Sequence, residues 1–314
     1  MLAIALAVVI TVVVVRPDSG GDGPEPGNGG SDSEFASADD TGPVNIITED
    51  PTCEPWSRVS QEYVNRVSAV NWDKRDSSIP ESSWNPEQRR MYETVSQAIG
   101  DAASDTIELS RQTPHRVMRE LYQQFIAYGR AFVESVPSYV EGDDAMLQVM
   151  NLVNNAVGDI CSAIIYRSVQ PIAPLLPDPA APSKISAPSD AEHPLMFLSE
   201  DNPVCSDWES LTAQFNDQLT EWQQLDPKIP AAELTPEQRT INDAAAQVMA
   251  TTAMEMERLG RQSENSVFED ISTLSAQYWR AYVKAVPSYT SSDNFLSQAA
   301  IRLTKSIDFA CKAA

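Results

Sequence analysis

Tyr128, Arg130 and Tyr139 stand close together in the chain, and the trio returns as Tyr278, Arg280 and Tyr289. An arginine fork among phenol rings suits an anion, a sugar or a peptide. The guanidinium donates in pairs, and each ring offers an apolar face with a polar tip. The same six residues have a plainer use, with the tyrosines packed on a core and each arginine in an internal ion pair. The second chemistry on offer is thiol oxidation. Cys53, Cys161, Cys205 and Cys311 allow three pairings. Little else is reactive. His115 and His193 are the only histidines, and His115 has no acid or cysteine clustered with it in sequence. No Gly-rich phosphate loop, His-Glu-x-x-His helix, Gly-x-Ser-x-Gly elbow or Cys-x-x-Cys pair occurs. The chain is therefore expected to be no enzyme, with no catalytic residue, no metal and no cofactor.

The charge narrows the partners. With 22 Lys+Arg against 45 Asp+Glu, the 314 residues carry a formal −23. Nucleic acid is excluded as a partner, because phosphates must be neutralised by Lys and Arg, and so is a polybasic hold on anionic lipid. The acid is uneven. Nine acids and no base fall between Pro17 and Thr52, whereas Cys53 to Cys161 nets −6 and Cys205 to Cys311 nets −7.

The elements that must position these residues come in two copies. Ile46 to Cys53 is echoed by Phe197 to Cys205 with one insertion, and Trp56 matches Trp208. Beyond a short deletion the offset holds at 150: Trp72 with Trp222, Ile79-Pro80 with Ile229-Pro230, Arg111-Gln112 with Arg261-Gln262, and Cys161 with Cys311. That period is too long for a solenoid unit, so each copy is expected to be a domain.

Apolar residues recur at helical spacing four times per copy. The first copy shows stripes through Trp56–Val70, Met91–Leu109, Met118–Val136 and Met146–Ile160, each answered in the second. Asn85-Pro86-Glu87-Gln88 and Thr235-Pro236-Glu237-Gln238 read as an N-cap, a proline at the first helical position and a capping glutamine. Pro137 and Pro287 end the third helix of each copy. The expected fold is all-α, a tandem duplication of an up-down-up-down four-helix bundle. In that topology the start of the first helix and the end of the fourth share a pole, which pairs Cys53 with Cys161 and Cys205 with Cys311. Each bridge closes a long loop and stabilises its bundle by about 4–5 kcal/mol in the chain-entropy model. Trp56, Trp72, Trp208 and Trp222 fall on core faces, while Trp84 and Trp279, unmatched between copies, are the ones to test for exposure. Arg89 and Arg239, in first turns where the dipole disfavours cations, call for acid partners such as Asp76 and Asp226.

Residues 1–16 are apolar up to Arg16 and read as a single membrane anchor whose basic start lies upstream of Met1; as they stand they make roughly 22 Å of helix, short of the ~30 Å hydrocarbon core. Residues 17–43, rich in Gly, Pro, Ser and acid, read as a disordered linker. Residues 44–167 form the first bundle, 168–193 a Pro-rich semi-rigid spacer, and 194–314 the second bundle, each expected to fold alone. Disulfides need an oxidising compartment, which puts both bundles outside the cytoplasm.

With its low Lys, its high Ala, Val, Asp and Pro, the single anchor and the acidic tether, the chain resembles uncharacterised membrane-anchored, exported cell-envelope proteins of mycobacteria and related actinobacteria. That resemblance implies a cell-envelope setting and assigns no residue a role. The expected function is a membrane-tethered extracytoplasmic protein that binds other envelope proteins or stabilises a complex. The alternative is a module holding an apolar or anionic ligand within each bundle, for which cavities at equivalent places would speak. If the copies instead share one core, any site moves to the seam, where Tyr128, Arg130, Tyr278 and Arg280 become the stronger candidates.

Overall fold

A computed structural model describes residues 33–188 and 190–314. The anchor expected over 1–16, and the linker up to 32, lie outside the described residues. Among the described residues there is no strand, and no helix is long and apolar enough to cross a membrane. Eight α-helices follow in two sets of four: α1 Cys53–Ala69, α2 Pro86–Gln112, α3 Arg116–Ser135 and α4 Asp144–Ile165, then α5 Cys205–Gln218, α6 Pro236–Gln262, α7 Ser266–Ala285 and α8 Asn294–Ala313.

The boundaries follow from local chemistry. Asn85 Oδ1 accepts from the backbone of Glu87 and Gln88, both at 2.9 Å, and Gln88 returns the bond to Asn85 N at 2.9 Å. Thr235 and Gln238 do the same at the start of α6. Behind Pro86 and Pro236 the helices run 27 residues each. At the other end of each hairpin, α3 and α7 tighten into 3-10 turns at Val136–Ser138 and Val286–Ser288, where the prolines remove a donor.

Within each repeat successive helices pack on one another and the first closes against the fourth, the contact order of a four-helix bundle. Disulfides join Cys53 to Cys161 and Cys205 to Cys311, with Cα atoms 5.3 and 5.6 Å apart.

The bundles are not separate. Residues 33–314 form one compact unit with one continuous apolar core, which corrects the expectation of two independent bodies. The most extensive helix contact among the described residues is α4 against α8. Asp159 pairs with Arg302 at 3.9 Å, and Tyr166 stacks on Phe295 at 5.2 Å. Seven residues forward on α4 thus match seven back on α8, so these equivalent helices run antiparallel. Leu152, Ala156 and Ala163, off the stripe that faces the helix's own bundle, are all buried.

The segments outside the helices complete the join. Residues 33–43, expected to be disordered, are packed: Phe35 and Ser37 are buried and Ala36 N donates to Arg111 O at 2.8 Å. The spacer likewise serves as a strap. Val169 and Ala191 are buried, Ser183 N donates to Glu269 of the second repeat at 2.9 Å, and Arg130 of the first donates to Glu192 O.

Candidate functional site at the seam of the two repeats

Beside the α4–α8 contact, α3 meets α7 across the seam. On α3, the residues between the apolar positions are Arg116, Arg119, Glu120, Gln123 and Gln124. These polar side chains would face water on a lone bundle, yet all five are buried. Opposite them α7 buries Glu269, Asp270 and Thr273. Polar groups removed from water must find partners or forfeit a few kcal/mol each, and most of these do. Arg116 Nε donates to Asp270 Oδ2 at 2.6 Å and Nη2 to Oδ1 at 3.3 Å, while Nη1 holds Asp40 O at 2.6 Å. One guanidinium therefore ties the first repeat, the second repeat and the N-terminal arm together.

Glu120 and Asp270 are equivalent residues of the two copies, and their carboxyls meet at the seam. Burial, then the charge of Asp270, pushes the Glu120 carboxyl well above the usual range, and burial raises Asp270 against the pull of Arg116. Ser266 stands where the second copy would match Arg116. Of the two carboxyls, Arg116 pairs with Asp270 alone, while Arg119 stands 3.9 Å from Glu120.

The segments leading into α1 and α5 are exchanged across the seam. Tyr128 Oη donates to Leu198 O at 3.1 Å. Its counterpart Tyr278 approaches the backbone of Ile47, the residue equivalent to Leu198, without closing a well-formed bond. Phe197 sits edge-on to Tyr128 of one repeat and Phe268 of the other. Its N–H donates to Gln124 at 2.8 Å and its carbonyl accepts from Asn265 at 2.6 Å. A cleft of about 290 Å³ remains between the strap and this floor, lined by Arg119, Glu120, Gln123, Lys184 and Leu195 among others.

The remaining residues singled out from the sequence lie elsewhere. Tyr139 and Tyr289 are buried at the far pole, donating to Ser77 O at 2.8 Å and Pro227 O at 2.7 Å. Arg280 makes a bidentate pair with Glu257, its second bond 2.7 Å long, and Arg130 holds Glu192 O instead. The six do not converge on one site, and most of their polar atoms are engaged within the chain. Trp84 and Trp279 are buried, not exposed. One expectation needs correcting. Arg89 pairs with Glu81, and Arg239 donates to Leu234 O at 3.1 Å, so Asp76 and Asp226 are not their partners. Hollows of about 260 and 420 Å³ do lie at equivalent places, beside the two disulfides.

Over the described residues from Ser33 on, the two repeats, the arm and the strap together make one body. A family model described as mycobacterial ESX-1 associated protein matches residues 35–314, that whole body rather than one repeat. The chain belongs to this family. An uncharacterised protein of Mycolicibacterium smegmatis (strain MKD8) is 38% identical over 318 residues, covering 100% of this chain and 84% of the relative. No solved structure matches. The residues that sequence reasoning missed are Arg116, Glu120 and Asp270. The sequence carries no signal for them: charged residues beside the core stripe of α3 and α7 would face water on a lone bundle.

Proposed function

We propose that this protein is a non-enzymatic, extracytoplasmic component of the mycobacterial envelope that binds or stabilises proteins of the ESX-1 secretion system. Family membership over residues 35–314 carries the reading. Three features support it. The two disulfides fit an oxidising compartment. The apolar run at 1–16 fits a tether to the membrane. The charged groups of the seam are spent on joining repeat to repeat and on holding extended main chain, the work of a rigid scaffold.

The test is purification of the full chain from the mycobacterial envelope after mild cross-linking. ESX-1 proteins should copurify, and alkylation of the denatured, unreduced chain should find no free thiol. Absence of every ESX-1 protein from the cross-linked eluate would overturn the partner assignment. Two or more free thiols would overturn the compartment.

A further inference from the structure

At the pole opposite the disulfides, the second repeat carries less aromatic bulk than the first. In the first, Trp84 stacks on Tyr92 with ring centroids 3.8 Å apart, and its indole N–H donates to Ile79 O at 2.9 Å. Tyr139 lies 5.6 Å from the same indole, and Trp72 packs edge-on to Tyr92. At the 150-residue offset, Leu234 replaces Trp84 and Asn242 replaces Tyr92, while Trp222, Ile229 and Tyr289 keep their counterparts' identities. The fold around them is the same: Tyr289 Oη donates to Pro227 O as Tyr139 Oη does to Ser77 O.

Removing two large rings from a packed site leaves space unless the walls collapse. Here they have not collapsed. A pocket of about 190 Å³ is lined by Trp222, Ile229, Leu234, Asn242, Tyr282 and Tyr289, among others. An apolar cavity of about 150 Å³ is enough to hold benzene. Asn242 is only 8% exposed, and its amide makes no hydrogen bond among the described residues. The pocket is also less charged than its counterpart. Arg75 and Asp144 form an ion pair beside Trp72 in the first repeat, whereas Leu225 and Asn294 stand at the equivalent positions. Asp226, exposed at the rim, is the one acid of the lining.

We propose that this pocket of the second repeat binds a small, neutral, planar aromatic ring bearing an N–H donor. The first repeat supplies the template, because it fills the same place with its own indole. The ring lies among Trp222, Tyr282 and Tyr289, its N–H meets Ile229 O, the counterpart of Ile79 O, and the Asn242 amide bonds a polar substituent. The ring can belong to a free heterocycle or to a side chain offered by another protein.

The probes are indole, 1-methylindole and N-acetyltryptophanamide, added to the full chain and followed by thermal unfolding and by titration calorimetry. Indole should raise the melting temperature in a concentration-dependent way, and 1-methylindole, lacking the donor, should bind more weakly. Leu234→Trp, which restores the first repeat's own residue, should abolish binding without lowering the melting temperature of the unliganded chain. Asn242→Ala gives a second variant with the pocket open and should retain indole. Binding of N-acetyltryptophanamide as well points to a ring carried on a polypeptide, and binding of indole alone to a free ligand. No response to indole, or an equal response in Leu234→Trp, overturns the proposal. Either result leaves the ESX-1 reading untouched, since that rests on copurification.

Discussion

Arg116 of the first repeat and Asp270 of the second, far apart in the chain, form an ion pair of 2.6 Å in which both side chains are almost wholly buried. Such a pair rarely adds much net stability, because desolvating two charges offsets their attraction. What it does is penalise every arrangement in which the repeats are apart or out of register. The equivalence of Glu120 and Asp270 places this pair beside the axis that relates the two copies, where one contact fixes the register of all eight helices.

Breaking the pair on one side should therefore be severe. Arg116→Met leaves Asp270 buried without its arginine and removes the anchor of the N-terminal arm, at about 3–5 kcal/mol. Asp270→Asn should be milder, since the amide still accepts a bond and Glu120 remains near. The double variant Arg116→Met/Asp270→Leu should recover part of the loss. Urea midpoints of the four proteins check this, and additive single losses in the double variant would contradict it.

Separating the repeats should expose the seam helices. Fragments 44–167 and 194–314, produced apart under oxidising conditions, would each present the α4 or α8 face that the other covers. The expected result is association or loss of cooperative melting for each fragment alone, with a folded one-to-one complex on mixing. Two monomeric fragments with sharp, independent transitions would show that the shared core contributes little.

Much of this architecture was legible in the sequence because helices advertise one buried face. The capping residues at Asn85 and Thr235 mark their starts, and the pairing of Cys53 with Cys161 follows from helix order. What a stripe cannot report is a second buried face. On α4, Leu152, Ala156 and Ala163 lie beside the stripe that fills the first bundle, and together they make the helix apolar nearly all round, the mark of an element with neighbours on both sides. That clue pointed to the seam. The polar face of α3 gave no such clue, since Arg116 and Glu120 look like solvated charges until Asp270 is placed opposite. The same limit explains Phe35, a single apolar residue in an acidic stretch whose pocket is made by Arg119 and neighbouring chain.

Stability should fall as pH rises through about 6. Burial pushes Asp159 and Asp308 up to about 6 from the ordinary 3.8. The folded chain then holds these protons where the unfolded chain has released them. The resulting stabilisation is fully present below about pH 4 and is lost as pH climbs through about 6. Asp308→Asn keeps an acceptor for Thr212, whose hydroxyl donates to Asp308 at 3.0 Å, and removes the titration. Relative to the parent it should be near neutral at pH 4.5 and more stable at pH 8, by at most about 2 kcal/mol. Melting temperatures across that range decide the matter, and parallel pH profiles for the two proteins would refute it.

Two helical glycines should respond in opposite directions to the same substitution. At Gly100, on the second helix of the first repeat, a Cβ would meet nothing within 4 Å. Gly100→Ala should therefore stabilise the chain by up to about 1 kcal/mol through helix propensity alone. Gly260 lies near the end of α6, where α7 crosses closely. A Cβ there would collide with Ser272 Oγ and stand 3.2 Å from the Cα of Glu269. The hydroxyl is already committed to Glu269 O at 2.9 Å, and the backbone behind it cannot rotate away. Helix α7 would have to move, and its buried Glu269 and Asp270 would be carried with it. Gly260→Ala should thus destabilise by about 1–3 kcal/mol despite the gain in propensity. Adding Ser272→Ala should recover only part, because it removes the nearest atom but leaves the Glu269 backbone in place. Denaturation of these variants under one condition tests the argument, and a stabilising Gly260→Ala would mean that α7 is free to shift against α6 and that the seam is looser than its buried charges require.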